Sequence, residues 1–347
     1  MPLAQETIAD LFRIELPVIQ APMAGAQGSA MAIAVSNAGG LGSLPCALLP
    51  PDAMRKELAA ISAAGSKPYN VNFFVHQEAE FDAVREERWR RTLAPYYKEL
   101  GIDPATIPGA MGRVRFDAAT AASVEPFKPP VVSFHFGLPS HELLTRVKGW
   151  GSKVIGSATT VEEARYLEAH GADAVIAQGF EAGGHRGMFL TDELLTQLGT
   201  MALVRQVVQA VRVPVIAAGG IADAQGVAAA LALGAAGVQV GTAYLSCPEA
   251  TTSALHRAAL NEVEAATAVT NVFTGRPARA IVNRFIREVG PMSPDAPAFP
   301  LAAAAVTPLR AKAEAAGSRE FTPLWSGQNR RAHNLSAAEL TRRLGSR

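Results

Sequence analysis

Residues 214–245 read PVIAAGGIADAQGVAAALALGAAGVQVGTAYL. An apolar run (214–218) ends in Gly219-Gly220, a helix-compatible segment (223–233) follows, and a second apolar run (237–240) ends at Gly241. Short buried runs with turn signals at their C-terminal ends, separated by one helical stretch, are the sequence form of parallel strands joined by a helix. The same alternation extends upstream. Strand-like runs fall at 17–21, 40–44, 69–75, 131–136, 153–157 and 173–178, and helix-like stretches at 29–38, 51–64, 140–148, 161–170 and 195–210 lie between them. In the second of these helices Asp52 is the expected N-cap and Gly65 the stop. Eight strand–helix units imply an α/β (β/α)8 TIM barrel.

Two segments break the alternation. Residues 77–129 carry a charge-dense helical stretch (78–100) and an irregular one (101–112), together too long for an ordinary connection, and are expected to pass over the barrel rim. Beyond residue 245 the chain is Ala-rich at 248–268, mixes Arg with apolar residues at 270–290 and is proline-rich at 291–300. The expected organisation is therefore a barrel of residues 1–245 and 323–347, with 77–129 as its excursion, and a smaller, mostly helical cap of residues 246–322.

Composition narrows the function classes. The chain has 347 residues, 49% hydrophobic, and a formal net charge of +1, which gives no electrostatic basis for binding nucleic acid or an anionic membrane. Residues 16–51 contain no charge but are broken by Gly, Pro, Asn and Gln, so they read as barrel wall rather than a membrane helix. Cys46 and Cys247 match no metal or redox spacing and are expected to be buried thiols; no metal site is expected. Glu6 and Asp10, with no basic run before an apolar segment, give no secretory signal, and the expectation is a cytoplasmic protein.

In barrels the site lies at the C-terminal strand ends, with anions held after strands seven and eight. Gly220 in the first of those ends, and Gln239, Val240, Gly241 and Thr242 in the second, can bring backbone N–H groups toward one phosphate. Asn72 and Gln178, with Gln328 as a third candidate, add amide side chains suited to the edge of a flat heterocycle. A phosphate with an amide-lined apolar wall points to flavin mononucleotide, and no GxGxxG opens a helix after the first strand to favour a dinucleotide. After the sixth strand the loop AQGFEAGGHRG (177–187) places His185 among glycines, and histidine is the side chain whose ordinary pKa suits proton transfer at neutral pH.

Taken together, QAPMAG (20–25), VNFF (71–74), VVSFHFG (131–137), AQGFEAGGHRG, PVIAAGGIAD (214–223), GVQVGTAYL (237–245) and LWSGQ (324–328) resemble the class I nitronate monooxygenases, formerly called 2-nitropropane dioxygenases. The resemblance spans nearly the whole chain in order. It implies a TIM barrel that holds FMN noncovalently, uses no metal, and oxidises alkyl nitronates such as propionate-3-nitronate with O2 to a carbonyl compound and nitrite, detoxifying nitro compounds. Carried over by residue, it implies flavin contacts from Met23, Asn72, Gln178, Gly183, Gly220 and Gln239 to Thr242, with His185 and His135, a second histidine lining that site, as the catalytic residues. The expected partners are a nitronate or nitroalkane and O2, and the expected assembly is a monomer or homodimer. Phe299 stands where that family often presents tyrosine, which bears on substrate contacts. His76, His141, His170, His256 and His333 are expected to be structural or solvated, and Trp89, Tyr96 and Tyr97 to be packing residues. Two other barrels remain open: an FMN-dependent NAD(P)H:quinone or enoyl-thioester reductase, and a binder of phosphorylated metabolites.

Overall fold

The structure is a computed structural model and describes residues 7–107, 109, 115–262, 264–330 and 333–346. All eight expected strands form: β1 (Val18–Gln20), β2 (Gly42–Pro45), β3 (Tyr69–Phe74), β4 (Val131–His135), β5 (Lys153–Ala158), β6 (Ala174–Gln178), β8 (Val215–Ala218) and β9 (Gly237–Val240). They make one parallel sheet in the order β1-β9-β8-β6-β5-β4-β3-β2. A parallel bridge from Ile19 to Leu41 brings its two edges together, so the sheet curls into a nearly closed barrel. β7 (Gly184–His185) lies outside this ring.

The interior is filled by branched side chains, among them Ile19, Leu41, Val131, Ile155, Ile176 and Ile216. At the N-terminal strand ends the short helix Ile8–Phe12 packs Ile8, Leu11 and Phe12 into the same cluster. The contact is close: a Cβ on Gly237, the first residue of β9, would stand 2.1 Å from Ile8 Cδ1. That end is therefore plugged, and the C-terminal ends are left for chemistry. The C-terminal helix Ala337–Gly345 starts with a Ser336/Glu339 capping box and packs against the helices Ser29–Asn37 and Ala224–Ala232. Its Thr341 Oγ1 is 2.8 Å from the hydroxyl of buried Tyr244.

Three local expectations are corrected. Helix 51–63 begins with Pro51 at its first position, where the fixed φ is already helical, so Pro50 is the N-cap; Asp52 sits in the first turn and pairs with Arg55. The stretch 195–210 is helical only from Thr200, because a 3-10 turn (Leu194–Thr196) and Gly199 precede it. Among the described residues of 248–268 only Ala254–Leu260 is helical, and Thr267–Thr270 is a strand, β10. β10 pairs antiparallel with β11 (Ala278–Ile281), and β11 pairs with β7. Alanine enrichment hid the β-branched residues Thr267, Val269 and Thr270, which favour extended backbone.

The excursion and the segments after β9 share a core of their own. Helix Ala83–Leu100 is capped by Asp82 and ends at Gly101, whose φ of +63° suits glycine. It lies along helix Ala302–Ala315, whose small residues Ala302, Ala305 and Ala313 are buried. Trp89 Nε1 donates to Ala302 O at 3.3 Å and Tyr97 donates to Ala305 O at 2.7 Å. The expected packing role of Trp89, Tyr96 and Tyr97 is borne out, since all three are buried. Of the expected irregular stretch 101–112, residues 104–106 form a 3-10 turn, and 108 and 110–112 lie outside the described residues. Both cysteines are buried and free, as expected.

Candidate active site

A cavity of about 500 Å³ opens at the C-terminal ends of the barrel strands. Of the residues singled out in the sequence, Met23, Asn72, His135, Gln178, Gly183, His185, Gly220, Gln239, Gly241 and Thr242 all line it. Val240 does not: its side chain is buried in the outer core, and its carbonyl accepts the Ala21 N–H at 2.8 Å. Period-two alternation on β9 turns residue 239 to the cavity and 240 away. Gln328 is exposed and off this wall; its neighbour Asn329 lines the cavity and donates to Gly220 O at 2.8 Å.

The phosphate-type ends have the geometry such loops require. Gly219 and Gly220 both have positive φ, +122° and +69°, conformations that a side chain would strain. After β9 the chain turns directly into a 3-10 helix, Thr242–Ser246, and its N-cap, Gly241, places no side chain over the N–H groups. On the wall between them Gln239 Oε1 is buried with no hydrogen-bond partner among the described residues. A buried amide oxygen left unpaired is costly, and a donor from a bound molecule would relieve it.

His185 is held by the cap side. It sits on β7, opposite Ala278 of β11, with its Nε2 3.0 Å from Thr274 Oγ1. Phe299 and Trp325 stand beside the imidazole, each with ring centroids 5.3 Å away, and Phe74 and Phe136 complete an aromatic surround at 6.2 and 6.1 Å. Phe136 has φ +73°, unusual for an aromatic residue and set against the Arg276 guanidinium 4.2 Å above its ring.

His135 closes the site from below. Its Nε2 lies 3.2 Å from His185 O; a carbonyl only accepts, so Nε2 carries the proton. Burial, with help from Arg276 and Arg186, pulls its pKa down to about 4 against the opposing hydrogen bond, and the ring is neutral at pH 7. His256, expected to be structural or solvated, is buried on the cavity wall; it donates Nε2–H to Trp325 O at 3.1 Å, and burial lowers its pKa to about 4. His76 is buried against Phe299, whereas His170 is exposed and stacks on Tyr166. Sequence reasoning missed Thr274 and assigned no role to Arg186, although the latter stood in the quoted loop.

These histidines predict acid lability. Between about pH 6.5 and about 4 the unfolded chain binds protons that His135 and His256 refuse in the folded state, so stability falls as pH falls through that window. The melting temperature should drop steadily from pH 7 to pH 4.5. His256→Gln, an uncharged donor, should flatten the decline; a melting temperature that stays level would contradict the assignment.

The nitronate monooxygenase family model matches residues 5–346. The chain belongs to the nitronate monooxygenase family. It is 42% identical to the nitronate monooxygenase of Paraburkholderia phytofirmans over 98% of this chain and 94% of that one. It is 41% identical to that of Pseudomonas aeruginosa over 96% of each. Among solved structures it resembles nitroalkane oxidase from Streptomyces ansochromogenes, with a TM-score of 0.88 and 39% identity over 98% of this chain and 96% of that one. FabK from Thermotoga maritima is more distant, with a TM-score of 0.72 and 29% identity over 98% and 94%. As in other nitronate monooxygenases, the chemistry is that of an oxidoreductase. No helix among the described residues is long and apolar enough to cross a membrane.

Proposed function

We propose that this chain binds FMN in the cavity above the barrel and oxidises small alkyl nitronates with O2 to a carbonyl compound and nitrite, with His185 as the residue that handles the substrate proton. The carrying observation is the placement of His185 on the same cavity as the glycine strand ends and the amide wall. The residues fit a flavin. Gly219, Gly220, Gly241 and Thr242 suit its phosphate, and Asn72 and the buried Gln239 Oε1 suit the heteroatoms of the ring edge, while Gln178 lines the same wall with both amide atoms bound to the His185 loop. When bound, the flavin supplies the reversible electron acceptor that links the nitronate to O2.

The protein's own part is proton handling and exclusion of water. A neutral nitroalkane must lose its α-proton before it is oxidised, and a neutral imidazole at His185 accepts it. The Thr274 hydroxyl both donates and accepts, so it serves Nε2 whether or not the ring is protonated. For a substrate that is already a nitronate, the imidazole is instead a hydrogen-bond donor to the anion. Phe74, Phe299 and Trp325 restrict solvent around that ring, which strengthens the polar contacts inside. His135 stays neutral and positions the His185 backbone rather than exchanging protons. We take the enzyme to act as a monomer or homodimer in the cytoplasm.

Two measurements test this reading. Heat-released cofactor should run with FMN in chromatography, and nitrite should appear from a nitronate in air without NADH. A colourless protein that FMN does not reconstitute would favour a binder of phosphorylated metabolites. NADH–quinone turnover far above nitronate turnover would favour the reductase.

A further inference from the structure

We propose that Gln178 and Arg186 form a reciprocal clasp that sets where His185 stands, making Arg186 a positioning residue for the reaction. The inference rests on the proton-handling role of His185 and goes beyond it to the device that holds that residue. Gln178, the last residue of β6, uses both ends of its amide on the loop: Nε2 donates to His185 O at 3.0 Å, and Oε1 accepts the Gly187 N–H at 2.8 Å. Arg186, between those two residues, reaches back to the strand end. Its Nη2 donates to Gln178 O at 2.7 Å and its Nη1 to Gly179 O at 2.6 Å, while Nε donates to Gln197 Oε1 at 3.0 Å. Each side chain thus binds the backbone that carries the other, and the closed ring of four bonds fixes the loop to the barrel on both flanks of residue 186.

The energetics favour a positioning device over filling. Arg186 is fully buried, and these three bonds all go to neutral oxygens rather than to a carboxylate. A guanidinium without a directly bonded counter-ion is an expensive way to fill space, for which an apolar side chain would serve better. What the guanidinium offers is a planar fork that meets two adjacent carbonyls at once and a further donor to a third partner. The Phe180 ring lies beneath both this group and Arg279, at 5.6 and 4.9 Å, so the backbone between the clasped ends is also held. His135 adds a second donor to the same His185 carbonyl.

A lysine at 186 keeps the charge but has one nitrogen and no fork. The test is steady-state kinetics on a neutral nitroalkane and on its preformed nitronate, for the wild type, R186K, H185N and the double variant, each with its cofactor bound. R186K should lower kcat on the nitroalkane by about 100-fold, the scale of a misplacement near 1 Å, and lower it on the nitronate by less than about tenfold. The double variant should be no slower on the nitroalkane than H185N alone, because both changes remove one function. Equal losses from R186K on both substrates, or losses that multiply in the double variant, would overturn the clasp. Gln197→Leu, which removes the Nε partner together with the Gln197 bonds to Thr159 and Thr196 on a half-buried side chain outside the cavity, should show the same preference at about tenfold, and decides the matter if R186K does not fold. If H185N alone lowers both substrates equally, the base reading of His185 fails, while non-additivity between residues 185 and 186 still supports the clasp.

Discussion

His185→Asn should cost the enzyme most of its turnover of neutral nitroalkanes, by about 10²- to 10⁴-fold, and far less of its turnover of nitronates. Asparagine keeps an amide donor and acceptor at this position, though it does not reach the place of Nε2, 3.0 Å from Thr274 Oγ1, and it cannot take a proton near neutral pH. The loss therefore separates the base function from polar contact. On the nitronate, whose α-proton is already gone, the amide still donates to the anion, and the fall should stay within about tenfold. The check is kcat/KM on both substrate forms across pH. Matching losses on the two would remove His185 from the proton-transfer step. The Phe299 and Trp325 rings flank the imidazole, so the smaller amide leaves space there, and KM should rise somewhat on both substrates.

Trp89→Ala should destabilise the protein by about 3–5 kcal/mol, the usual cost of deleting a fully buried indole. Trp89 belongs to a cluster formed by the excursion helix and the segments after β9, with no barrel strand in it. With Tyr97 it joins helix Ala83–Leu100 to helix Ala302–Ala315, and the cavity left there also removes the indole donor from the Ala302 carbonyl. A urea titration should show the loss as a lower midpoint; a change below about 1 kcal/mol would mean that the helix is anchored elsewhere. The effect should reach the chemistry. Val272 and Phe273 of the same cluster precede Thr274, the partner of His185, so nitroalkane turnover should fall along with stability.

The barrel was legible because its signal is repeated and local. Each strand is a short apolar run closed by a turn residue, and eight in register with helices leave few alternatives. Much of the cavity followed from the same rule, since residues at C-terminal strand ends converge whatever the loops do. What the sequence did not reveal depends on contacts between distant segments. β7 has only two residues and exists because β11, more than ninety positions later, pairs with it. Thr274 lies in a stretch without periodicity, and only that pairing brings it to His185.

Gly183 shows a different kind of gap. Its lack of a side chain reads as room for a ligand, and it does line the cavity. The tighter constraint is internal: a Cβ there would stand 2.5 Å from Gly327 N, against the returning LWSGQ segment. Gln178 likewise reads as a ring-edge amide, whereas both its amide atoms already bind the His185 loop.

Aerobic turnover of 3-nitropropionate and of propyl-2-nitronate, with nitrite release and NADH oxidation followed in the same samples, separates nitronate oxidation from nicotinamide-dependent reduction. The expected result is rapid nitrite from the nitronate with no NADH consumed, and nitrite from the nitroalkane that disappears in His185→Asn. NADH oxidation without nitrite, or nitrite release unchanged by that substitution on both compounds, would contradict it.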